Sequence, residues 1–227
     1  MNQKFTILFD LDGTLVDTAP DLMLAHNHVM KKFGYPTKST EDIRNLVGKG
    51  AGALIGRSIW GQAKQEFSKV SDEKIKAEMI KEFINFYGKN ILNESTLING
   101  VKKFLIWCKK ENISMAVCTN KTEHLAVDLL KKIGIYDYFE YVAGHNTFEY
   151  CKPDPRHLTT IIEILDGDIK KTIMIGDSET DANAAKAAEI PVILLENGYT
   201  EKNTTEIYHN HLIKDFTGIE KIIKKYL

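Results

Sequence analysis

The segment FDLDGTLVDT, residues 9–18, places two aspartates one residue apart at the point where an apolar run stops. Asp12-Gly13 between apolar residues is a strong hairpin signal, so Leu11, Asp12, Gly13 and Thr14 can be read as a tight turn between two strands. That reading accounts for Asp12 and leaves Asp10 without a role. Residues 5–11 themselves read as a buried strand, an apolar run bounded by charge and glycine.

Further runs of the same character lie at 113–119 (ISMAVCT), 171–176 (KTIMIG) and 191–195, with a weaker one at 141–144. Helical patterns lie between them. Val101, Phe104, Leu105 and Cys108 repeat at helical spacing, as do Ala126, Leu129, Leu130 and Ile133, and then Leu158, Ile161, Ile162 and Leu165. Strands alternating with helices of this length predict right-handed crossovers. The expected fold is α/β, a doubly wound, Rossmann-like parallel sheet with helices on both faces. Residues 20–93 break the rhythm with helical patterns at 20–33, 40–47, 51–60 and 72–91 and no convincing strand. A helical block inserted after the first strand predicts a second domain: residues 17–94, set into a core of residues 1–16 and 95–227.

A chain of 227 residues, 43% of them hydrophobic, suits one large domain or two small ones and can bury a sizeable core. Thirty basic and 31 acidic side chains leave a net charge of −1, which exerts no long-range pull on nucleic acid or anionic lipid. The lysines of residues 64–81 are interleaved with Glu and Asp and read as a solvated helix face. Cys108, Cys118 and Cys151 form no CxxC pair and cannot all pair internally, which argues for a reducing compartment. The apolar start at residues 5–9 is too short for a signal-peptide core, and no later run can span a bilayer. The expectation is a soluble cytoplasmic protein with neither nucleic acid nor membrane as partner.

Open parallel sheets bind ligands beyond the carboxyl ends of their strands, so what ends each run matters. The first ends in Asp10-Leu11-Asp12, the second in Thr119-Asn120-Lys121, and the third in Gly176-Asp177-Ser178-Glu179-Thr180-Asp181. Ahead of the third, Lys152 lies in a loop, because the following Pro153 disfavours helix there. Each residue alone has an ordinary explanation: a helix cap for Asp177 or Asp181, turn chemistry for Thr119, a surface position for Lys152. Together they put four carboxylates, a lysine, a threonine and an asparagine on one edge. Clustered carboxylates repel unless a cation sits among them, and an oxygen-only shell is what Mg²⁺ prefers.

Asp10-Leu11-Asp12-Gly13-Thr14, Thr119-Asn120, Lys152-Pro153, and Gly176-Asp177 with Asp181 form a series similar to the motifs of the haloacid dehalogenase superfamily. The longer strings FDLDGTLVDTAPDL, KPDPRHL and IGDSETDANAAKAA resemble those of its phosphoglycolate phosphatases. The resemblance implies that residues 17–94 are a helical cap. It also implies Mg²⁺-dependent hydrolysis of a small phosphate monoester, 2-phosphoglycolate first, by a monomer or homodimer. Asp10 would be the nucleophile that forms an aspartyl-phosphate, and Asp12 the acid that protonates the leaving alkoxide and later activates water. Asp10, Asp177 and the Asp12 backbone carbonyl would hold Mg²⁺. Thr119 and the Asn120 backbone would hydrogen-bond the phosphoryl oxygens, Lys152 would balance their charge, and Asp181 would orient Lys152 or a metal-bound water. Gly13 would let the backbone bend close to the phosphate. A sugar-phosphate mutase, or a phosphatase for another metabolite, fits the same core. A receiver domain fits less, since Lys152 precedes the last acidic motif and such domains have no insert of this size.

Other signals are weaker. Residues 46–58, LVGKGAGALIGRS, imitate a phosphate loop, but the spacing is one residue short, Arg57 replaces lysine, and no strand precedes it. Lys49 or Arg57 of this stretch is instead a candidate for meeting a substrate carboxylate. Cys151 and Arg156 fall one residue short of a cysteine-phosphatase spacing. The seven histidines show no metal-binding pattern.

Overall fold

Four residues, Thr-Ile-Leu-Phe, make β1 (Thr6–Phe9), and all four are buried. A strand apolar on both faces is stable only in the middle of a sheet covered on both sides. In the computed structural model, which describes residues 4–60 and 70–227, β1 is in the middle. From Phe9 the chain bends through Gly13, whose φ of +79° is left-handed, into β2 (Val16–Asp17). The insert follows: α1 (Ala19–Phe33), α2 (Thr40–Arg44), α3 (Ala51–Trp60) and α4 (Val70–Lys89). It returns through β3 (Thr96–Leu97), which pairs antiparallel with β2. The core then resumes with α5 (Val101–Lys110), β4 (Ser114–Cys118), α6 (Glu123–Lys132), β5 (Tyr141–Ala143), α7 (Arg156–Ile164) and β6 (Thr172–Gly176). It closes with α8 (Glu179–Ala187), β7 (Val192–Leu195), β8 (His211–Ile213) and α9 (Glu220–Ile223).

Among the described residues the sheet has six strands in the order β5-β4-β1-β6-β7-β8, and each pairs parallel with its neighbours. The expected α/β fold is therefore observed. Register does the work of positioning. Phe9 lies opposite Val117 of β4 and Ile175 of β6, so Asp10, Cys118 and Gly176 end their strands at one level. Ile7, Phe9, Met115, Val117, Ile173 and Ile175 face one buried cluster, with Phe104 and Phe216. Leu8, Ala116 and Met174 alternate onto the other face, against Leu158 and Ile161 of α7 and Ala184 and Ala185 of α8.

The helical patterns expected in the insert appear within a few residues of their expected bounds, and residues 61–69 lie outside the description. Of the lysine-rich stretch, residues 73–81 lie on α4, and Glu73, Lys74, Ala77, Glu78 and Lys81 are exposed as a solvated face requires. Ser39 and Asp42 make a capping box at the start of α2. α1 ends on Gly34 in the left-handed conformation. Both strands of the β2–β3 ribbon and β8 were unexpected; each is too short to leave a periodic signal. The ribbon is braced by Asp21 of α1, a buried carboxylate that accepts hydrogen bonds from the backbone N–H groups of Asn93 (3.1 Å), Glu94 (3.0 Å) and Ser95 (2.9 Å) and from the Ser95 hydroxyl (2.6 Å). Asp21 thus ties the start of the insert to its end.

Candidate active site

The level strand ends bring Asp10, Asp177 and Asp181 together: one carboxylate oxygen from each lies within 4.8 Å of the others, and all three residues are buried. Lys152, itself 2% exposed, stands among them, with Nζ 2.6 Å from Asp181 Oδ1 and 3.0 Å from Asp10 Oδ1. Each carboxylate has a different set of partners. Asp181 has both oxygens occupied: Oδ1 by Lys152, and Oδ2 by the N–H groups of Asp177 (3.2 Å) and Ser178 (3.1 Å) and the Ser178 hydroxyl (2.7 Å). It therefore closes the capping box of α8 and fixes Lys152. Asp177 accepts from the Thr14 hydroxyl (3.1 Å) and the Tyr199 N–H (2.6 Å). Asp10 Oδ1 is buried and receives no directed hydrogen bond from the described residues, the lysine lying off its acceptor direction.

These surroundings set the protonation energetics. Burial, followed by the carboxylates of Asp181 and Asp12, pushes Asp10 up to about 6 against the pull of Lys152. Burial and the neighbouring Asp10 and Asp181 push Asp177 up as well. Burial works against the charge of Lys152, but Asp10 and Asp181 outweigh it and raise the ammonium above its ordinary value. One lysine among three buried carboxylates leaves the cluster short of positive charge. The under-bonded Asp10 oxygen and an all-oxygen donor set fit a hard divalent cation such as Mg²⁺.

Asp12 points across a cavity of about 500 Å³ that opens from Asp10 and Asp12 and runs under the insert, walled by Leu22, Val47, Leu54, Phe83 and Tyr87. Thr119, Asn120, Lys49 and His145 line it as well. Thr119 and Asn120 follow β4 directly and are buried. The Asn120 side chain donates to the carbonyls of Lys152 (2.9 Å) and Gly48 (3.1 Å), so it joins the lysine loop to the glycine-rich stretch of the insert. Lys49 faces the cavity, whereas Arg57 is taken up by the carbonyls of Asn45 and Leu46 and by Glu201. The glycine-rich stretch is no phosphate loop: it leads into α3 from a turn, with Gly48 and Gly50 at positive φ.

All seven expected site residues, Asp10, Asp12, Thr119, Asn120, Lys152, Asp177 and Asp181, thus lie at one end of the sheet. Sequence reasoning missed three others. Lys121 reaches Asp12, Thr18 donates to Asp12 (2.7 Å), and Tyr199 holds Asp177. Lys121 follows Thr119-Asn120 directly, which is a usable signal. Tyr199 has none, being 22 residues from Asp177 in a loop. Its neighbour Gly198 lies so close to Asp177 that a Cβ there would stand 1.8 Å from the Asp177 carbonyl oxygen.

A parallel sheet carrying a buried aspartate at the end of a central strand, with further acids following the neighbouring strand and a loop lysine among them, defines a class, and comparison with known proteins agrees. The family model for haloacid dehalogenase-like hydrolases matches residues 7–195, and the chain belongs to that family. Among its relatives is the phosphoglycolate phosphatase of Agrobacterium fabrum, 37% identical over 226 residues and covering 96% of this chain and 94% of the relative. That of Mesorhizobium japonicum is 36% identical over 213 residues, 94% of this chain and 92% of the relative. A crystal structure described as a predicted phosphoglycolate phosphatase from Haemophilus somnus superposes with a TM-score of 0.89 at 30% identity, covering 98% of this chain and 99% of the other. Within the family, the chain is a phosphatase of the phosphoric monoester hydrolase class.

Proposed function

We propose that the protein hydrolyses 2-phosphoglycolate to glycolate and phosphate in the cytoplasm, through an aspartyl-phosphate on Asp10. The supporting observation is the under-bonded, buried Asp10 oxygen at the end of the central strand, beside Lys152. A nucleophile needs a lone pair free of hydrogen bonds and a nearby positive charge to offset the incoming phosphoryl group. The relatives named phosphoglycolate phosphatase support the choice of substrate.

In this reading Asp10 attacks phosphorus, the bond from phosphorus to the ester oxygen breaks with its electron pair on that oxygen, and Asp12 supplies the proton. Asp12, now ionised, then takes a proton from water, whose oxygen attacks phosphorus and returns the electron pair to Asp10. Thr119 and the Asn120 backbone hold the phosphoryl oxygens, Lys152 balances their charge, and Asp181 holds Lys152. Asp10, Asp177 and the Asp12 carbonyl would hold Mg²⁺, which supplies charge neutralisation on the phosphoryl oxygens. Residues 17–94 act as the cap over a core of residues 1–16 and 95–227, excluding water from the cavity.

The test is phosphate release from a panel of small monoesters with Mg²⁺ and with excess chelator. The expected result is fastest turnover of 2-phosphoglycolate and none without the divalent cation. Full activity in chelator overturns the metal assignment, and a tenfold or greater preference for another ester overturns the substrate.

A further inference from the structure

Lys121 has no part in the chemistry above, yet its side chain is only 4% exposed and its Nζ donates to both oxygens of Asp12, at 2.7 and 2.9 Å. The Lys121 N–H donates to the Thr119 hydroxyl (3.1 Å), and its carbonyl accepts from His145 N–H (2.9 Å), so the backbone beneath it is fixed. On its other side the ammonium lies 4.5 Å from the centre of the Tyr87 ring. Tyr87 belongs to α4 of the insert and is 1% exposed, and its hydroxyl has no hydrogen-bond partner among the described residues. The ring face, not the hydroxyl, is what the insert presents to the lysine.

The two Asp12 oxygens are used unequally. Oδ1 accepts from both the Thr18 hydroxyl and Lys121, whereas Oδ2 accepts from Lys121 alone. Two donors on one oxygen fix the carboxylate plane, and the other oxygen keeps a free acceptor direction. A buried ion pair contributes little net stability compared with apolar replacement, so what this one contributes is geometry.

We propose that Lys121 is a positioning residue for proton transfer. It clamps the Asp12 carboxyl against Thr18 with Oδ2 available to the leaving group, and Tyr87 of the insert holds Lys121 in that place. This rests on the reading of Asp12 as the proton donor. Asp12, a carboxylate while it pairs with Lys121, first takes a proton from solvent on the free direction of Oδ2; at transfer the ester P–O bond breaks, its electron pair stays on the departing oxygen, and that proton forms the new O–H bond. A misaligned Asp12 slows only that step, and the slowing grows with the basicity of the leaving oxygen.

The experiment is single-turnover and steady-state kinetics on 2-phosphoglycolate and on p-nitrophenyl phosphate, whose phenolate leaves with little protonation. Lys121→Met should lower kcat for the alkyl ester about 10- to 100-fold, with KM within about threefold and the aryl first step within about threefold of wild type. Lys121→Arg should recover part of the loss, and Lys121→Gln serves if the methionine variant does not fold. Tyr87→Leu, which removes the ring face and keeps an apolar side chain, should reproduce part of the Lys121→Met profile. Equal losses on the alkyl and aryl first steps overturn the proposal. So does a higher KM for 2-phosphoglycolate at unchanged kcat, which would make Lys121 a receiver of the substrate carboxylate. Asp12→Asn runs in parallel: without its own leaving-group dependence the reading of Asp12 fails, and with it but none in Lys121→Met the positioning role fails.

Discussion

Lys152 stands 2.6 Å from Asp181 and 3.0 Å from Asp10, and the difference is one of direction as well as length. The closer aspartate receives a true hydrogen bond and keeps it; Asp10 receives charge without a directed bond. Asp10→Asn removes the proposed nucleophile while nearly preserving shape, so turnover should fall on the order of a thousandfold or more. Retention of more than roughly a tenth of wild-type activity would remove Asp10 from that role. The same substitution relieves repulsion among buried carboxylates, so the metal-free variant should melt no lower than wild type at pH 7.5. Asp10, Asp12, Thr119, Asn120 and Asp177 were legible because their motifs sit at strand ends, where a parallel sheet predicts convergence, whereas Lys152 lies in a loop and was brought in by its motif. The partners of Asp12 and of Asp177 were not. Lys121 against Asp12, and Tyr199 against Asp177, are contacts across 109 and 22 residues that no local pattern encodes.

Among the elements, continuous apolar runs announced β1, β4, β6 and β7, because a strand buried on both faces leaves no polar alternation. β8 carries only His-Leu-Ile at the sheet edge, and the β2–β3 ribbon only two residues a side, so both depend on tertiary partners. The hairpin reading of Asp12-Gly13 was partly right, since a tight loop forms there, with Gly13 N–H bonded to the Val16 carbonyl at 2.8 Å and an isolated bridge from Asp12 to Val16. It coexists with the catalytic reading, for the loop is what turns Asp12 back over the strand end. The insert is held at its base by Asp21. Asp21→Ala would leave the buried Ser95 N–H and hydroxyl, and the partly buried N–H groups of Asn93 and Glu94, without their acceptor, and the expected cost is about 2–4 kcal/mol, read as a lower urea midpoint. A loss under about 0.5 kcal/mol would show that the ribbon closes without it.

For the molecule as a whole, the acid cluster links folding to pH and to metal. Asp10 has a folded value of about 6 against 3.8 for the ordinary carboxyl, so between those values the folded chain keeps a proton the unfolded chain has lost. Its contribution to stability is full below about 3.8 and is lost as pH rises through 6, an effect of about 3 kcal/mol at most. Asp177 shifts in the same direction. A divalent cation cancels the repulsion that appears on ionisation, so the rise in Tm produced by Mg²⁺ should be small at pH 5 and larger at pH 7.5. An equal rise at both would detach the cation from this cluster. Sheet order carries a different consequence, one for biosynthesis. β1 is translated before both of its neighbours, which come from residues 114–117 and 172–175. At roughly 5–20 residues per second, the first neighbour is translated roughly 5–20 s later and the second later still. The insert relies on shorter-range contacts and can fold in that interval. Asp10 therefore leaves the ribosome at the tip of a wholly apolar strand whose two partners have yet to be made, an exposure that a nascent-chain chaperone would relieve.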